Sequence, residues 1–236
     1  MQKLLRCLDK AVNTVISILI ALALLYSFWG VYDIISIYSA ARSNSFFGIN
    51  SRSLSLAEYM TINEDVCAVL SIPNTGISYP VLQGEDNSEY INKNYEGEDS
   101  LSGSIFIDSL NSPDFTDFYT LFYGHRMEGS VMFGDIGKFT DKAYFNNHTQ
   151  GKLVLPKETL KIKFFACSKT LTNNEKLFGV GTANLDPEQT LAEIKRTAVQ
   201  FRDIKVEKGD RIVALSTCEN ATTSGRIILF GVLKGE

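Results

Sequence analysis

One cysteine, Cys218, stands in a setting that suits nucleophilic chemistry. It closes an apolar, β-branched run that begins at Arg211, and a polar loop with Ser224 and Gly225 follows it. Arg226 then opens a second apolar run. Two such runs joined by a turn-rich loop predict neighbouring strands, with a thiol at one strand end and a guanidinium at the start of the next. Because a nearby positive charge favours the thiolate, the pair suits an active site; a buried cysteine and a surface arginine are the alternative.

His125 is the candidate base that such a cysteine requires. It lies in Tyr-Gly-His-Arg-Met, after an apolar run and a glycine, which predicts a histidine at a strand end that can reach across a sheet. A structural histidine with satisfied hydrogen bonds is the alternative. The other histidine, His148, lies in the polar stretch Asn-Asn-His-Thr-Gln-Gly and is predicted to be a surface residue.

Composition narrows the function classes. Lys and Arg total 23 against 27 Asp and Glu, a net charge of −4, so the chain lacks the basic excess of a nucleic-acid-binding protein. The four cysteines form no CxxC pair and there are only two histidines, so we expect neither a metal nor another cofactor. Cys67 and Cys167 lie in apolar runs and are predicted as buried core thiols, although a disulfide between them stays open.

An uncharged apolar segment occupies residues 11–32. As a helix it would be about 33 Å long, enough to cross the hydrocarbon core of a bilayer. Basic residues precede the segment and aromatic residues mark its far end: Lys3, Arg6 and Lys10, then Tyr26, Trp29 and Tyr32. This pattern predicts an uncleaved single-pass anchor with a cytoplasmic N-terminus. A cleavable signal peptide, with Ser-Ala-Ala at 39–41 as its processing site, is the alternative.

The elements that would position the three reactive residues follow the anchor. From Val66 onward, short apolar runs alternate with turn residues, and eight candidate strands result: 66–72, 77–82, 103–108, 118–124, 152–156, 160–168, 211–217 and 226–233. Eight short strands predict a mainly β domain with helical insertions, folded as a closed or nearly closed barrel. The predicted organisation is a cytoplasmic N-terminus (1–10), a transmembrane anchor (11–32), a juxtamembrane stalk with helical turns near Ser53–Met60 (33–60) and an extracellular catalytic domain (61–236).

Two helical insertions are predicted between the strands. The first covers Ser130–Phe139, with Ser130 as its cap and apolar residues at helical spacing, 132, 133, 136 and 139. The second covers 187–201, where Asp186 caps, Pro187 takes the first position and Gln189 completes a capping box. Its predicted apolar stripe consists of Leu191, Ile194, Ala198 and Phe201.

Taken together, the motifs resemble those of the sortases, exported cysteine transpeptidases of Gram-positive bacteria. The resemblance covers about residues 60–234 and rests on Tyr123-Gly-His-Arg-Met127, Met132-Phe-Gly-Asp135, Leu215-Ser-Thr-Cys-Glu219 and Arg226, in the order His, Cys, Arg. The Met-Phe segment, the Ser-Thr-Cys-Glu motif and the long helix look most like class B. Ala214 and Arg126 depart from the residues common in the family at those positions.

The resemblance implies an eight-stranded sortase-type barrel and three roles. Cys218 would form an acyl-thioester, His125 would act as general acid and base, and Arg226 would stabilise the oxyanion with the backbone N–H of Glu219. Ser216, Glu219, Asn87 and Ile91 would line the peptide groove, and the helix at 187–201 would form one wall.

The implied function is that of a membrane-anchored sortase on the outer face of a Gram-positive cell. It would cleave a C-terminal sorting motif, LPxTG-like or NPxTG/SPxTG-like, after Thr. It would then transfer the surface protein to an amine of a peptidoglycan precursor or cross-bridge. A pilin-polymerising sortase is one alternative. Others are a cell-wall cysteine hydrolase or L,D-transpeptidase, disfavoured because Asn220 stands where such enzymes usually carry Arg or Lys, and an inactive surface binding module.

Overall fold

The computed structural model describes residues 2–43, 54–181, 186–207, 209–218 and 224–235. Residues up to Ser39 form one compact unit and residues from Ala40 a second. The helices are α1 Gln2–Ser43, α2 Leu56–Ile62, α3 Lys142–Asn147, α4 Glu175–Phe178 and α5 Pro187–Thr197, with 3₁₀ turns at Glu89–Ile91 and Gly134–Thr140. The strands are β1 Val66–Ser71, β2 Ser78–Leu82, β3 Ile105–Ile107, β4 Tyr119–Tyr123, β5 Arg126–Met127, β6 Val131–Met132, β7 Gln150–Val154, β8 Thr159–Leu171, β9 Ala198–Phe201, β10 Arg211–Cys218 and β11 Gly225–Gly235.

The first unit is the apolar part of α1. Its segment Leu5–Ser39 is long and apolar enough to span a membrane. Side chains such as Leu25 and Phe28 are exposed along it, and a continuous apolar surface of this size marks contact with a membrane or another protein. Of the predicted stalk, the chain is helical through Ser43 and again from Leu56, and residues 44–53 lie outside the described residues.

The second unit is a closed eight-stranded barrel, as predicted. Neighbouring strands follow the order β11-β10-β4-β3-β2-β1-β7-β8, and β8 pairs back with β11 to close the ring. The β4–β10 and β2–β3 pairs are parallel, and the other pairs of the ring are antiparallel. The ninth strand of the sheet, β9, adds to β8 outside the ring. Closure leaves the eight ring strands without a free edge.

Burial along the strands explains why these segments form the barrel. In β10, every residue from Ile212 to Thr217 is buried, as expected of an apolar run flanked by strands on both sides. In β8, burial alternates up to Phe164, so one face of that half is solvated. From Phe165 to Ser168 every residue is buried because α5 covers this part of the strand: the Ser168 hydroxyl donates to the Ile194 carbonyl over 3.4 Å.

Both helical insertions differ from their predicted bounds. Asp186 caps α5 by accepting from Gln189 N at 3.0 Å and Pro187 begins it, as predicted, but the helix ends at Thr197. Ala198 and Phe201 belong to β9 instead, because pairing with β8 overrides the helical spacing. At 130–139 the chain forms the short strand β6 and then the 3₁₀ turn from Gly134, so Ser130 is not a helix cap. The four apolar residues on which the helix prediction rested, 132, 133, 136 and 139, are all buried.

Candidate active site

The carboxyl ends of β4 and β10 lie side by side. The two strands pair in parallel up to Ser216, and beyond that pair Gly124 N donates to the Ser216 carbonyl over 3.3 Å. The hydroxyl of Thr217 donates to the Gly124 carbonyl over 2.9 Å. His125, the next residue, therefore leaves the sheet beside the end of β10, where the backbone reaches Cys218.

Arg226 lies directly across the sheet from that strand end. In the antiparallel β10–β11 pair, the Cα partner of Cys218 is Arg226. The arginine is half-buried, and its Nη1 donates to the carbonyl of Gly225 over 3.1 Å. Strand pairing thus brings the backbone of Cys218, the imidazole of His125 and the guanidinium of Arg226 to one edge of the barrel.

Gly124 allows the chain to turn off the sheet at this point. A Cβ on Gly124 would lie 2.5 Å from Cδ1 of Ile105 and 2.6 Å from the Phe133 ring, so a side chain would displace two buried residues. The carbonyl of His125 accepts from Phe133 N at 2.9 Å, which fixes the backbone just after the turn. The half-buried ring of His125 places Nε2 2.8 Å from the Ile91 carbonyl oxygen.

These residues border a cleft of about 360 Å³. The described residues that line it are Asn87, Ile91, Ser104, Phe106, Tyr123, Gly124, His125, Thr172, Phe178, Ser216, Thr217 and Arg226. The cleft is an apolar trough with a few polar groups and one cation, which suits an extended peptide. Among the described residues the buried Ser216 hydroxyl has no hydrogen-bond partner, so it can pair with a ligand there.

A buried carboxylate supports one wall of the cleft. Asp108 accepts from the Tyr123 hydroxyl at 2.8 Å and from the Asn87 side-chain amide at 2.9 Å, both at Oδ2. The Asn87 side-chain oxygen in turn accepts from Ser109 N at 2.8 Å. Burial and then the Asp108 charge raise the pKa of Tyr123, which Arg226 partly opposes. Tyr123 therefore remains a neutral donor, and Asp108 fixes both cleft residues that it binds.

The structure places most of the predicted site residues on this cleft. Asn87, Ile91, Ser216, His125 and Arg226 all line it. Cys218 ends β10 beside it. Glu219 lies outside the described residues.

Sequence reasoning missed other parts of the wall. Tyr123 and Asp108 were not predicted as site residues, although Tyr123 stands two residues before His125, where β alternation places it on the same face. The prediction that the helix at 187–201 forms a wall is wrong. Among the described residues, Thr172 and Phe178 line that side, and α5 packs behind Phe178 in a shared apolar cluster.

The remaining cysteines and the second histidine lie elsewhere. Cys67 and Cys167 are buried and free, as expected of core thiols, and burial raises the pKa of each to about 12. Thiols that stay protonated at neutral pH are poor nucleophiles. His148, predicted to be on the surface, is half-buried: it is the C-cap residue of α3 and stacks on Tyr144 with 3.9 Å between ring centroids.

Comparison with known proteins agrees with the motifs. Residues 70–234 match the sortase domain family. Sortase B of Listeria monocytogenes is 33% identical over 180 residues, which cover 75% of this chain and 73% of that protein.

Solved structures share the fold. A Streptococcus pyogenes class B sortase involved in pilus biogenesis superposes with a TM-score of 0.71 and is 41% identical. The match covers 78% of this chain and 100% of that chain. The Staphylococcus aureus sortase B–substrate complex has a TM-score of 0.70 and 28% identity, over 76% of this chain and 84% of that chain.

Proposed function

We propose that this chain, which belongs to the sortase family and to its class B, is a membrane-anchored transpeptidase with Cys218 as its nucleophile. Members of the family are cysteine transpeptidases. The observation that carries the proposal is the meeting of β4, β10 and β11 at one cleft, with His125 and Arg226 on its lining. The pairing of Cys218 with Arg226 at the end of β10 supports the choice of this cysteine.

The reaction divides into two acyl transfers. The Cys218 sulfur attacks the carbonyl carbon of the Thr in a sorting motif, and the S–C bond forms as the C–N bond to the next residue breaks. His125 gives a proton to the departing amine, and the products are a thioester and a free amine. An acceptor amine then attacks the thioester, His125 removes its proton, and a new amide releases Cys218.

Arg226 stabilises the oxyanion of both tetrahedral intermediates, together with the backbone N–H of Glu219. A guanidinium suits this role because it keeps its charge at all physiological pH values and presents a planar fork of donors. Ser216, Asn87 and Ile91 contact the peptide. The apolar part of the cleft, formed by Ile91, Phe106 and Phe178, receives its side chains.

The N-terminal helix holds the enzyme at the membrane. Residues 1–10 lie in the cytoplasm, 11–32 cross the bilayer, 33–60 form a connecting stalk and 61–236 form the catalytic domain outside a Gram-positive cell. The uncharged length of the segment and the basic residues Lys3, Arg6 and Lys10 before it support this topology.

The substrates are surface proteins with an LPxTG-like or NPxTG/SPxTG-like motif, and the acceptor is an amine of a peptidoglycan precursor or cross-bridge. A pilin lysine is a second candidate acceptor. The Streptococcus pyogenes class B sortase at 41% identity favours it, because that protein is involved in pilus biogenesis.

Replacement of the nucleophile tests the proposal. Cys218→Ala should reduce cleavage and transfer below about a thousandth of the wild-type rate, because the thioester cannot form. The measurement is mass spectrometry of sorting-motif peptides incubated with the full chain and a panel of amines. Glycine-type and diamino-acid amines stand for the wall, and a lysine-bearing peptide stands for a pilin.

Cys7→Ala is the matched control, because Cys7 is exposed on α1 and should leave the rate unchanged. Thermal unfolding of the Cys218→Ala chain should match that of the wild type. If that variant still forms the transfer product, Cys218 is not the nucleophile. If only the lysine peptide is joined by the wild type, the wall acceptor is wrong and the pilin acceptor stands.

A further inference from the structure

The backbone carbonyl of Ile91 holds the His125 ring through one of its two nitrogens. The Nε2–oxygen distance is 2.8 Å. A carbonyl oxygen can only accept, so Nε2 must carry the hydrogen of this bond. In the neutral ring, that leaves Nδ1 as the nitrogen with a lone pair.

We infer that the Ile91 carbonyl is the positioning group of the site, which fixes His125 as its Nε2–H tautomer and leaves Nδ1 to exchange protons. The catalytic consequence rests on the proposed function. As general acid and base, His125 would gain and lose a proton at Nδ1 while the Nε2–H bond to Ile91 persists in both charge states. The ring would therefore keep one orientation through the whole cycle.

The carbonyl is itself held firmly. It belongs to the 3₁₀ turn Glu89–Ile91, whose central residue Tyr90 is buried. The Tyr90 hydroxyl donates to Asp65 Oδ2 over 2.6 Å, and the Tyr90 carbonyl accepts from Ser104 N at 3.0 Å. On the other side of Ile91, the Asn92 carbonyl accepts from Ser100 N at 2.8 Å. The chain is thus held on both sides of the Ile91 carbonyl, which can then orient a neighbouring ring.

Gly103 controls where this carbonyl lies. Its φ is +57°, and a Cβ there would lie 2.2 Å from the Ile91 carbonyl oxygen and 2.9 Å from that of Tyr90. The chain passes so close to the turn that a side chain at 103 would force the backbone at 103 and the Ile91 carbonyl apart. Gly103 thereby acts on His125 through Ile91, although it is not among the residues that line the cleft.

A backbone acceptor orients the ring without adding charge. None of the described residues that line the cleft is Asp or Glu, and the nearby Asp108 carboxylate is already bonded to Tyr123 and Asn87. A carbonyl supplies the directional hydrogen bond that fixes a tautomer and adds no negative charge beside the guanidinium.

The second histidine provides a built-in contrast. His148 Nδ1 lies 2.8 Å from the Tyr144 carbonyl oxygen, so by the same reasoning its hydrogen is on Nδ1. The chain contains two histidines. They are therefore expected to show opposite tautomers in one sample.

Long-range ¹H–¹⁵N spectra of the full chain in detergent, labelled with ¹⁵N-histidine, test the inference directly. Above the titration of both rings, one histidine should show the Nε2–H pattern and the other the Nδ1–H pattern. A His148→Gln sample should retain only the Nε2–H pattern. An Nδ1–H pattern or a rapid tautomer mixture for His125 overturns the inference, whatever the activity.

Gly103→Ala adds a test of cause. The displaced carbonyl should convert His125 to a tautomer mixture and lower kcat by about tenfold or more, with the His148 signals unchanged. Gly97→Ala is the matched control, because Gly97 also has a positive φ, +84°, but a Cβ there meets nothing within 4 Å. A folded Gly103→Ala chain with a wild-type His125 pattern overturns the inference.

Should Gly103→Ala fail to fold, the wild-type spectra still decide. Failure of this inference and failure of the proposed function remain distinguishable. If the chain transfers peptides but His125 carries its hydrogen on Nδ1, the positioning role of Ile91 is refuted and the transpeptidase proposal stands. If His125 carries its hydrogen on Nε2 but the chain joins no peptide to any amine, the transpeptidase proposal is refuted and the positioning role stands.

Discussion

Two regions of the barrel each combine a tyrosine, a histidine and an arginine, and they differ in what these side chains face. The cleft region consists of Tyr123, His125 and Arg226, and the flank region of Tyr144, His148 and Arg202. In the cleft region the three side chains border an open space of about 360 Å³. In the flank region Tyr144 and His148 pack against the buried ring of Phe139, and Arg202 packs against Phe145 of α3 and the carbonyl of Phe164.

The flank region uses its polar groups for structure. The Arg202 guanidinium donates to the carbonyls of Phe164 and Phe145 and lies 4.3 Å from the Phe145 ring centroid. His148 is bonded to one carbonyl and stacked on one ring. The two regions therefore differ in access: in the flank region the three side chains only hold elements together, and in the cleft region they also border a space that a ligand can enter.

Substitution of each histidine by glutamine should give the largest difference between the cleft region and the flank region. His125→Gln should lower the transfer rate about 10²–10⁴-fold, because the proposed general acid and base is lost. His148→Gln should leave the rate within about twofold and lower stability by about 1 kcal/mol through lost ring stacking. Single-turnover kinetics and thermal unfolding of both variants measure this. Equal rate losses in the two variants would contradict the assignment of catalysis to the cleft region and of structural support to the flank region.

Substitution of each arginine by lysine should give the next largest difference between the two regions. Arg226→Lys should lower kcat about 10²-fold, because an ammonium lacks the planar fork that is proposed to hold the oxyanion. Arg202→Lys should lose a carbonyl bond and the contact with Phe145, which lowers the free energy of unfolding by about 1–3 kcal/mol. Denaturant titration and kcat of each folded variant are the measurements. Near-normal turnover of Arg226→Lys would remove Arg226 from the oxyanion role.

Substitution of each tyrosine by phenylalanine should give the smallest difference between the two regions. Tyr123→Phe removes a donor from the buried carboxylate of Asp108, so it should cost about 1–3 kcal/mol of stability and raise KM a few-fold as Asn87 loses order. Tyr144→Phe keeps the ring against His148 and should change stability by less than about 0.5 kcal/mol. Steady-state kinetics and urea unfolding measure both. A rate loss above a hundredfold in Tyr123→Phe would mean that the hydroxyl acts on the substrate.

Strand positions could be predicted because their signal is local. All eight ring strands lie where alternating or continuous apolar runs predicted them, as in β1 at Val66–Ser71 and β10 at Arg211–Cys218. β9 could not be predicted in this way, because Ala198 and Phe201 continue the spacing of Leu191 and only pairing with β8 makes that segment a strand. Local pattern thus succeeded wherever it agreed with tertiary pairing.

The site was predictable in part. The candidate nucleophile and cation stand on adjacent strands of one hairpin, and His125 is marked by the glycine before it. The position of Phe178 on the cleft could not be predicted, because nothing near it in sequence indicates that the segment after β8 returns to the cleft. Asn87 and Ile91 were suggested by family resemblance alone, since a short 3₁₀ turn has no pattern that points to a partner.

The pairing of β11 with both β10 and β8 also determines when the site can exist during folding. Until β11 docks, β10 lacks one neighbour, β8 lacks another, and Arg226 has no position opposite Cys218. The contact between Thr217 and Gly124 joins positions 93 residues apart, so β10 can meet β4 only after a long loop has closed. Before β11 pairs, the end of β10 therefore lacks the arginine that lies opposite it in the finished barrel.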